Sequence, residues 1–156
     1  MEPTPQNPRE FKALHLSMLH VKMNDYFQKH RLSLMKGDLY YAFHFWEQFT
    51  SAMTVHFDSE ETILFPIILE RAPSLRKVIE NLTSDHEAVR EQFYIISRRL
   101  KETSDSNEIL DLLDFEIGLK KLIMKHAEQE DQIFYPELDK ITTPSEREIL
   151  FKSVVL

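Results

Sequence analysis

The chain contains no cysteine. Disulfides, iron–sulfur ligation and thiolate chemistry are thereby excluded, and any metal it holds must be bound by histidine and carboxylate. Glycine is nearly as scarce: Gly37 and Gly118 are the only two in 156 residues. Apolar residues recur at helical rather than alternating spacing, so both features point to an all-α fold. Basic charge is not in excess. The formal net charge of −7 argues against a nucleic-acid-binding face, which needs clustered Lys and Arg. No apolar run approaches the roughly 18 residues of a membrane span. The opening stretch MEPTPQNPRE has neither the basic nor the apolar region of a secretory signal. The expectations are a cytoplasmic protein with no nucleic-acid or membrane partner, forming a single domain over residues 1–156.

Punctuation along the chain divides it into helices. After an N-terminal tail (1–8), Asn7-Pro8-Arg9-Glu10 reads as an N-cap with proline at the first helical position, opening a helix over about 8–34. Lys36-Gly37-Asp38 is a stop followed by a new cap, and a second helix covers about 39–70. Ala72-Pro73-Ser74 breaks it. A third helix covers about 75–101, the polar stretch 103–107 is a loop, and a fourth covers about 108–139. Thr143-Pro144-Ser145-Glu146 is a capping box that opens a short C-terminal helix within 144–156. Four long helices joined by short loops predict an antiparallel up-down-up-down four-helix bundle with a short fifth helix.

The inward stripes follow from alternating steps of four and three. On the second helix they run Ala42, Trp46, Phe49, Met53, His56, Glu60, Ile63 and Ile67. On the third they run Leu75, Ile79, Leu82, His86, Val89, Phe93, Ile96 and Leu100. On the fourth they run Leu112, Glu116, Leu119, Ile123, His126, Glu130 and Ile133. Phe11, His15, Met18 or Leu19, and Tyr26 form the inward face expected of the first. Ionisable side chains at His56, Glu60, His86, His126 and Glu130 thus fall where a core demands apolar ones. A lone buried carboxylate costs several kcal/mol unless it is paired, protonated or bound to metal.

A single His-x-x-x-Glu carries little weight in a chain with 17 glutamates. The repeat carries much more. His56, Glu60, Ile63 and Pro66 recur seventy positions later as His126, Glu130, Ile133 and Pro136, while Glu61 becomes Asp131 and Phe65 becomes Tyr135. His15 recurs as His86, seventy-one later. His15 and His56 stand at nearly equal distances from the first turn, and His86 and His126 from the third, so antiparallel packing brings them to one layer. At i and i+4, each His and Glu share a helix face. A layer of four imidazoles and two carboxylates suits two divalent or trivalent metals, and zinc and manganese accept such donors as iron does. Ferritin-like sites use Glu-x-x-His, a spacing that no histidine here satisfies.

These residues resemble the hemerythrin-like, or HHE cation-binding, family. The likeness rests on His15, on His56 through Glu61 with Leu64-Phe65-Pro66, on Asp85-His86-Glu87, and on His126 through Asp131 with Phe134-Tyr135-Pro136. It implies a four-helix bundle around an oxo- or hydroxo-bridged pair of iron ions, with His15, His56, His86 and His126 as terminal ligands and Glu60 and Glu130 as bridges. Asp131 is an alternative bridge, because oxygen carriers of the family use Asp five residues after the last His. Those carriers also have a fifth His where this chain has Arg90, which points away from simple oxygen carriage. Family members linked to iron-centre repair carry a cysteine-bearing segment that is missing here.

The resemblance implies a metal-dependent protein that binds or reacts with O2, NO or peroxide. A sensing role, a repair role, or an NO- or peroxide-reducing enzyme working with a redox partner are the alternatives. No residue is assigned as catalytic. Glu61 either fills a coordination position, hydrogen-bonds a ligand imidazole or stands solvated at the surface; Glu87 has the same options with the solvated one favoured, and Arg90 pairs with Glu87 or a site carboxylate or is solvated. His20, five residues from His15, reads as pointing to a different face, with a ligand role as the lesser alternative. His30 and His44 read as surface or core-edge residues. Phe57, Trp46, Phe49, Phe93 and Met53 pack the core and line any dry pocket.

Overall fold

The structure, a computed structural model, describes residues 12–13 and 18–155, with side chains as far as Lys152. The expected cap at Asn7, the core position Phe11 and the ligand position His15 lie outside the described residues. Helix α1 covers Met18–Met35 and α2 covers Leu39–Ser59. A π-helical turn, Glu60–Leu64, leads into α3 (Phe65–Arg71), and a 3-10 turn, Pro73–Leu75, into α4 (Arg76–Glu102). Helix α5 covers Ser106–Gln129, a second π turn covers Glu130–Phe134, and α6 (Tyr135–Ile141) and α7 (Pro144–Val155) complete the order. No strand occurs among the described residues. The architecture is the antiparallel bundle expected from the sequence: α1 pairs with α2, α4 with α5, and the two pairs close through α1–α5 and α2–α4. Among the described residues no helix is long and apolar enough to cross a membrane.

The turn chemistry acts as predicted. Gly37 adopts φ +73°, a left-handed conformation that only glycine adopts without strain, and Asp38 then accepts the Tyr41 amide at 3.2 Å. The box before α7 is reciprocal: Thr143 N donates to Glu146 Oε1 at 3.0 Å and Glu146 N donates to Thr143 Oγ1 at 3.2 Å. Arg71 Nη2 lies 2.5 Å from Glu146 Oε2, tying α7 to the end of α3. Helix α7 packs on α2 and on the first π turn.

The two π turns were not foreseen, and they have a local cause. Pro66 and Pro136 lack an N–H, and in an unbroken α-helix each ring would strike the carbonyl four residues earlier. The chain instead widens by one residue: the Phe65 amide bonds Glu60 O and the Tyr135 amide bonds Glu130 O, both i to i−5. Every inward position beyond the two glutamates therefore shifts by one. Leu64, Ile68, Phe134 and Leu138 are buried, whereas Ile63 and Ile67 are only partly covered and Ile133 is 47% exposed. The expected inward places for Ile63, Ile67 and Ile133 are corrected accordingly. Insertions of this kind recur at functional sites, and here each begins at the glutamate that faces the polar layer.

The apolar core is split. One cluster, with Phe27, Trp46, Phe49 and Phe93, fills the half of the bundle toward the α1–α2 and α4–α5 turns. A second, with Leu64, Phe65, Ile68, Phe134 and Leu138, fills the half toward α7. Between them lies a layer of buried imidazoles and carboxylates.

Candidate metal centre

His56 on α2, His86 on α4 and His126 on α5 are buried, as are Glu60 and Glu130 at the first residue of each π turn. His56 Nε2 lies 2.7 Å from Glu60 Oε1, and His126 Nε2 lies 2.5 Å from Glu130 Oε1. His86 Nε2 is 3.8 Å from Glu60 Oε1 and 3.2 Å from His126 Nε2. The facing level predicted for His86 and His126 is thus observed.

The His56–Glu60 and His126–Glu130 approaches lack hydrogen-bond geometry. Both Glu60 oxygens, Glu130 Oε1 and both His56 nitrogens are buried without a hydrogen-bonding partner. Buried polar atoms are rarely left so. The side chains crowd together with their lone pairs converging on shared space rather than on one another. The His86–His126 pair makes the same point. His86 Nδ1 faces Glu61 Oε1 at 3.1 Å and His126 Nδ1 faces Asp85 Oδ2 at 3.3 Å. An ionised carboxylate only accepts, so each Nδ1 carries the proton and each Nε2 presents its lone pair inward. Two lone pairs at 3.2 Å need a cation between them, either a proton or a metal ion.

The electrostatics express that demand. Burial, reinforced by Glu130, drives the Glu60 carboxyl well above its ordinary value. Burial pushes the same way on Glu130, but the imidazoles of His126 and His20 outweigh it and hold that carboxyl well below. Burial opposes protonation of His126, yet Glu130, Glu60 and Asp85 raise it to about 9. Burial and the neighbouring His126 lower His86 to about 4. A cation placed in the layer would take over the work of the His126 proton.

The sequence reading turned His20 to a different face and gave it a ligand role only as the lesser alternative. The inward stripe of α1 runs His20, Met23, Phe27, His30 and Leu34, in steps of three and four, with Met23, Phe27, His30 and Leu34 buried. His20 sits at its site end, 16% exposed, with Nε2 3.4 Å from Glu130 Oε2 and its ring 5.3 Å from that of His56. The 3-4-3-4 step was available in the sequence, and reading α1 from His15 obscured it. Tyr135 was also passed over: its hydroxyl donates to Glu130 Oε2 at 2.6 Å.

The lower-ranked carboxylates separate. Glu61 is held by His86 and by Arg90 rather than pointing into the layer. Asp131 is half-buried with an unpartnered Oδ1. Glu87 is exposed. His30, expected at the surface or core edge, is fully buried instead. Its Nε2 lies 2.5 Å from Glu116 Oε2 and its Nδ1 donates to the Ala42 carbonyl at 2.7 Å.

Among the described residues, two groups bring ligand atoms within 4.8 Å of one another: Glu60, His86, His126 and Glu130, and His20, His56 and Glu130. They share Glu130. All donors are nitrogen and oxygen, a set suited to iron, manganese or zinc. A cavity of about 40 Å3 borders both groups, lined by His20, His56 and His126 with Met53, Phe57 and Ile123 among others. A family model described as the hemerythrin HHE cation binding domain matches residues 15–138. No curated protein and no solved structure is matched by the chain.

Proposed function

The chain belongs to the hemerythrin HHE cation-binding family, and from that premise we propose that it holds two iron ions and presents them to a small ligand such as O2, NO or peroxide. The observation that carries the reading is the pair of donor groups sharing Glu130. In this reading Glu60, His86, His126 and Glu130 would hold one ion, and His20, His56 and Glu130 would hold the other, with Glu130 common to both. Glu60 Oε1, between His56 and His86, is placed to assist both. His20 takes the role on the first helix that the sequence reading gave to His15. Iron, when bound, supplies redox equivalents and an open position for the small ligand. The protein's own part is to exclude water with two apolar clusters, orient the imidazoles through Glu61 and Asp85, and offer an apolar cavity beside His20 and His56. Binding, sensing and turnover share that machinery. The rate of autoxidation separates a stable carrier from a reactive centre.

The test compares His15→Ala with His20→Ala, measuring iron per chain and the visible absorption of protein from iron-supplemented cells. His20→Ala is expected to lose one equivalent and alter the spectrum, while His15→Ala keeps both. The reverse result restores His15 as the ligand, and no stoichiometric metal in the parent protein removes the reading.

Metal should also carry much of the stability. Binding to the folded chain alone stabilises it by about 4 kcal/mol per equivalent at a thousandfold excess over Kd. At roughly 2–4 °C per kcal/mol for a chain of this size, chelation is expected to lower the thermal midpoint by at least 10 °C or so. A midpoint that ignores chelator would contradict the proposal.

A further inference from the structure

Arg90, one turn after His86 on α4, grips Glu61 with both arms of its guanidinium. Nη1 donates to Oε1 at 3.0 Å and Nη2 to Oε2 at 2.8 Å, with a further bond from Nη2 to Asp58 Oδ1 at 2.9 Å. Such a two-pronged pair fixes direction as well as charge. Glu61 Oε1 also accepts from His86 Nδ1. The His86 ring is clamped between Phe57, stacked at 3.9 Å and 17°, and Phe65, at 5.8 Å and 15°. The Arg90 guanidinium lies 5.6 Å over the same Phe57 ring. Two adjacent carboxylates are thereby sorted: both Glu60 oxygens are unpartnered in the buried layer, while both Glu61 oxygens are engaged from outside it.

The other half of the repeat is built differently. Asp131, the counterpart of Glu61, keeps a buried Oδ1 without a hydrogen-bonding partner and lies near enough to His20 to feel its charge. One turn after His20, where α4 has Arg90, α1 has Asn24, which is exposed and lines the cavity beside His20 and His56.

We propose that Arg90 makes the two half-sites inequivalent: by taking both oxygens of Glu61 it commits that carboxylate to His86 and keeps it off the metal, whereas Oδ1 of Asp131 in the other half is held by no such partner. The inference rests on the two-metal reading above. Arg90 is a positioning residue acting through Glu61, and Asn24 marks the half that lacks this device.

The experiment loads the full chain with ferrous iron without oxygen and follows transfer to a ferrous chelator in Arg90→Leu, Arg90→Lys, Glu61→Gln and the Arg90→Leu/Glu61→Gln pair. Loss of a partner that orients a ligand weakens metal binding by about 10–100-fold. Two release phases are expected in the parent protein. Arg90→Leu should quicken the slower one about tenfold or more and leave the faster one unchanged. Lysine, keeping the charge but not the fork, should restore it only in part. The pair should be no worse than Glu61→Gln alone. A general packing role would move both phases and add to the Glu61 effect. Unchanged release in Arg90→Leu, or additivity in the pair, overturns the inference while leaving the two-metal reading intact. Failure of the parent protein to bind iron overturns the two-metal reading itself, and the inference with it.

Discussion

Glu130→Ala is expected to empty the His20–His56 half-site and leave at most one iron per chain, whereas Glu60→Ala keeps both ions at reduced affinity. The asymmetry follows from counting donors. Among the described residues, the second group without Glu130 has only two imidazoles, and the first keeps Glu60, His86 and His126. Without Glu60 each group still has three donors, because Glu130 serves both. Iron per chain after gel filtration, at matched loading, decides the matter. Equal losses in the two variants would show that Glu60 and Glu130 are interchangeable, as the seventy-residue repeat alone suggests. The metal-free proteins should order the other way. Glu60 is fully buried, driven toward its neutral form and without a hydrogen-bonding partner. Replacing such a group with an apolar one of similar shape is commonly neutral or stabilising by about 1–4 kcal/mol. Metal-free Glu60→Met should therefore withstand at least as much denaturant as the metal-free parent, and a site kept for function at the expense of the bare fold is what that ordering would reveal.

Most of the bundle was legible because its signals are local. The stripe on α4, from Leu75 to Leu100, is buried at every predicted position, and Gly37, Asp38 and the Thr143 box terminate or open helices as their chemistry requires. Of the expected ligands, the positions of His56, Glu60, His86, His126 and Glu130 were readable because ionisable groups on an apolar seam violate a simple rule. What escaped notice depends on register. The π turns shift the seam by one residue after each glutamate, and only the prolines six positions on hint at it. His20 was set on another face because His15 was paired across the turn by residue count, which assumes a helix whose start the sequence does not fix, and His15 itself lies outside the described residues. Glu61 and Arg90 could not be sorted from spacing, because hydrogen-bonding an imidazole and ligating a metal place the same demand on i and i+4 neighbours.

Glu116→Ala is expected to be the most destabilising single change away from the metal layer, costing about 3–5 kcal/mol, the usual cost of stranding a buried charge partner, or roughly 10 °C in thermal midpoint. Glu116 is fully buried on α5. It holds His30 Nε2 at 2.5 Å and accepts from Arg31 Nη1 at 3.1 Å, while His30 Nδ1 donates to the Ala42 carbonyl and Arg31 to the Leu113 carbonyl. The His30 ring lies against Phe27 and Trp46 and is fully buried, so loss of Glu116 strands its Nε2 away from solvent. Glu116→Gln, which keeps an acceptor, should cost less. Both changes lie ten residues along the helix from His126, about 15 Å at 1.5 Å per residue, so iron content should not move. Calorimetry together with iron analysis tests both halves of this statement, and a fall in iron with Glu116→Ala would show the two polar clusters to be coupled. Glu60 and Glu116 are alike in chemistry and burial, yet their removal is expected to have opposite effects on the metal-free fold. The difference is that the protein itself satisfies Glu116, whereas Glu60 is left for something the chain does not supply.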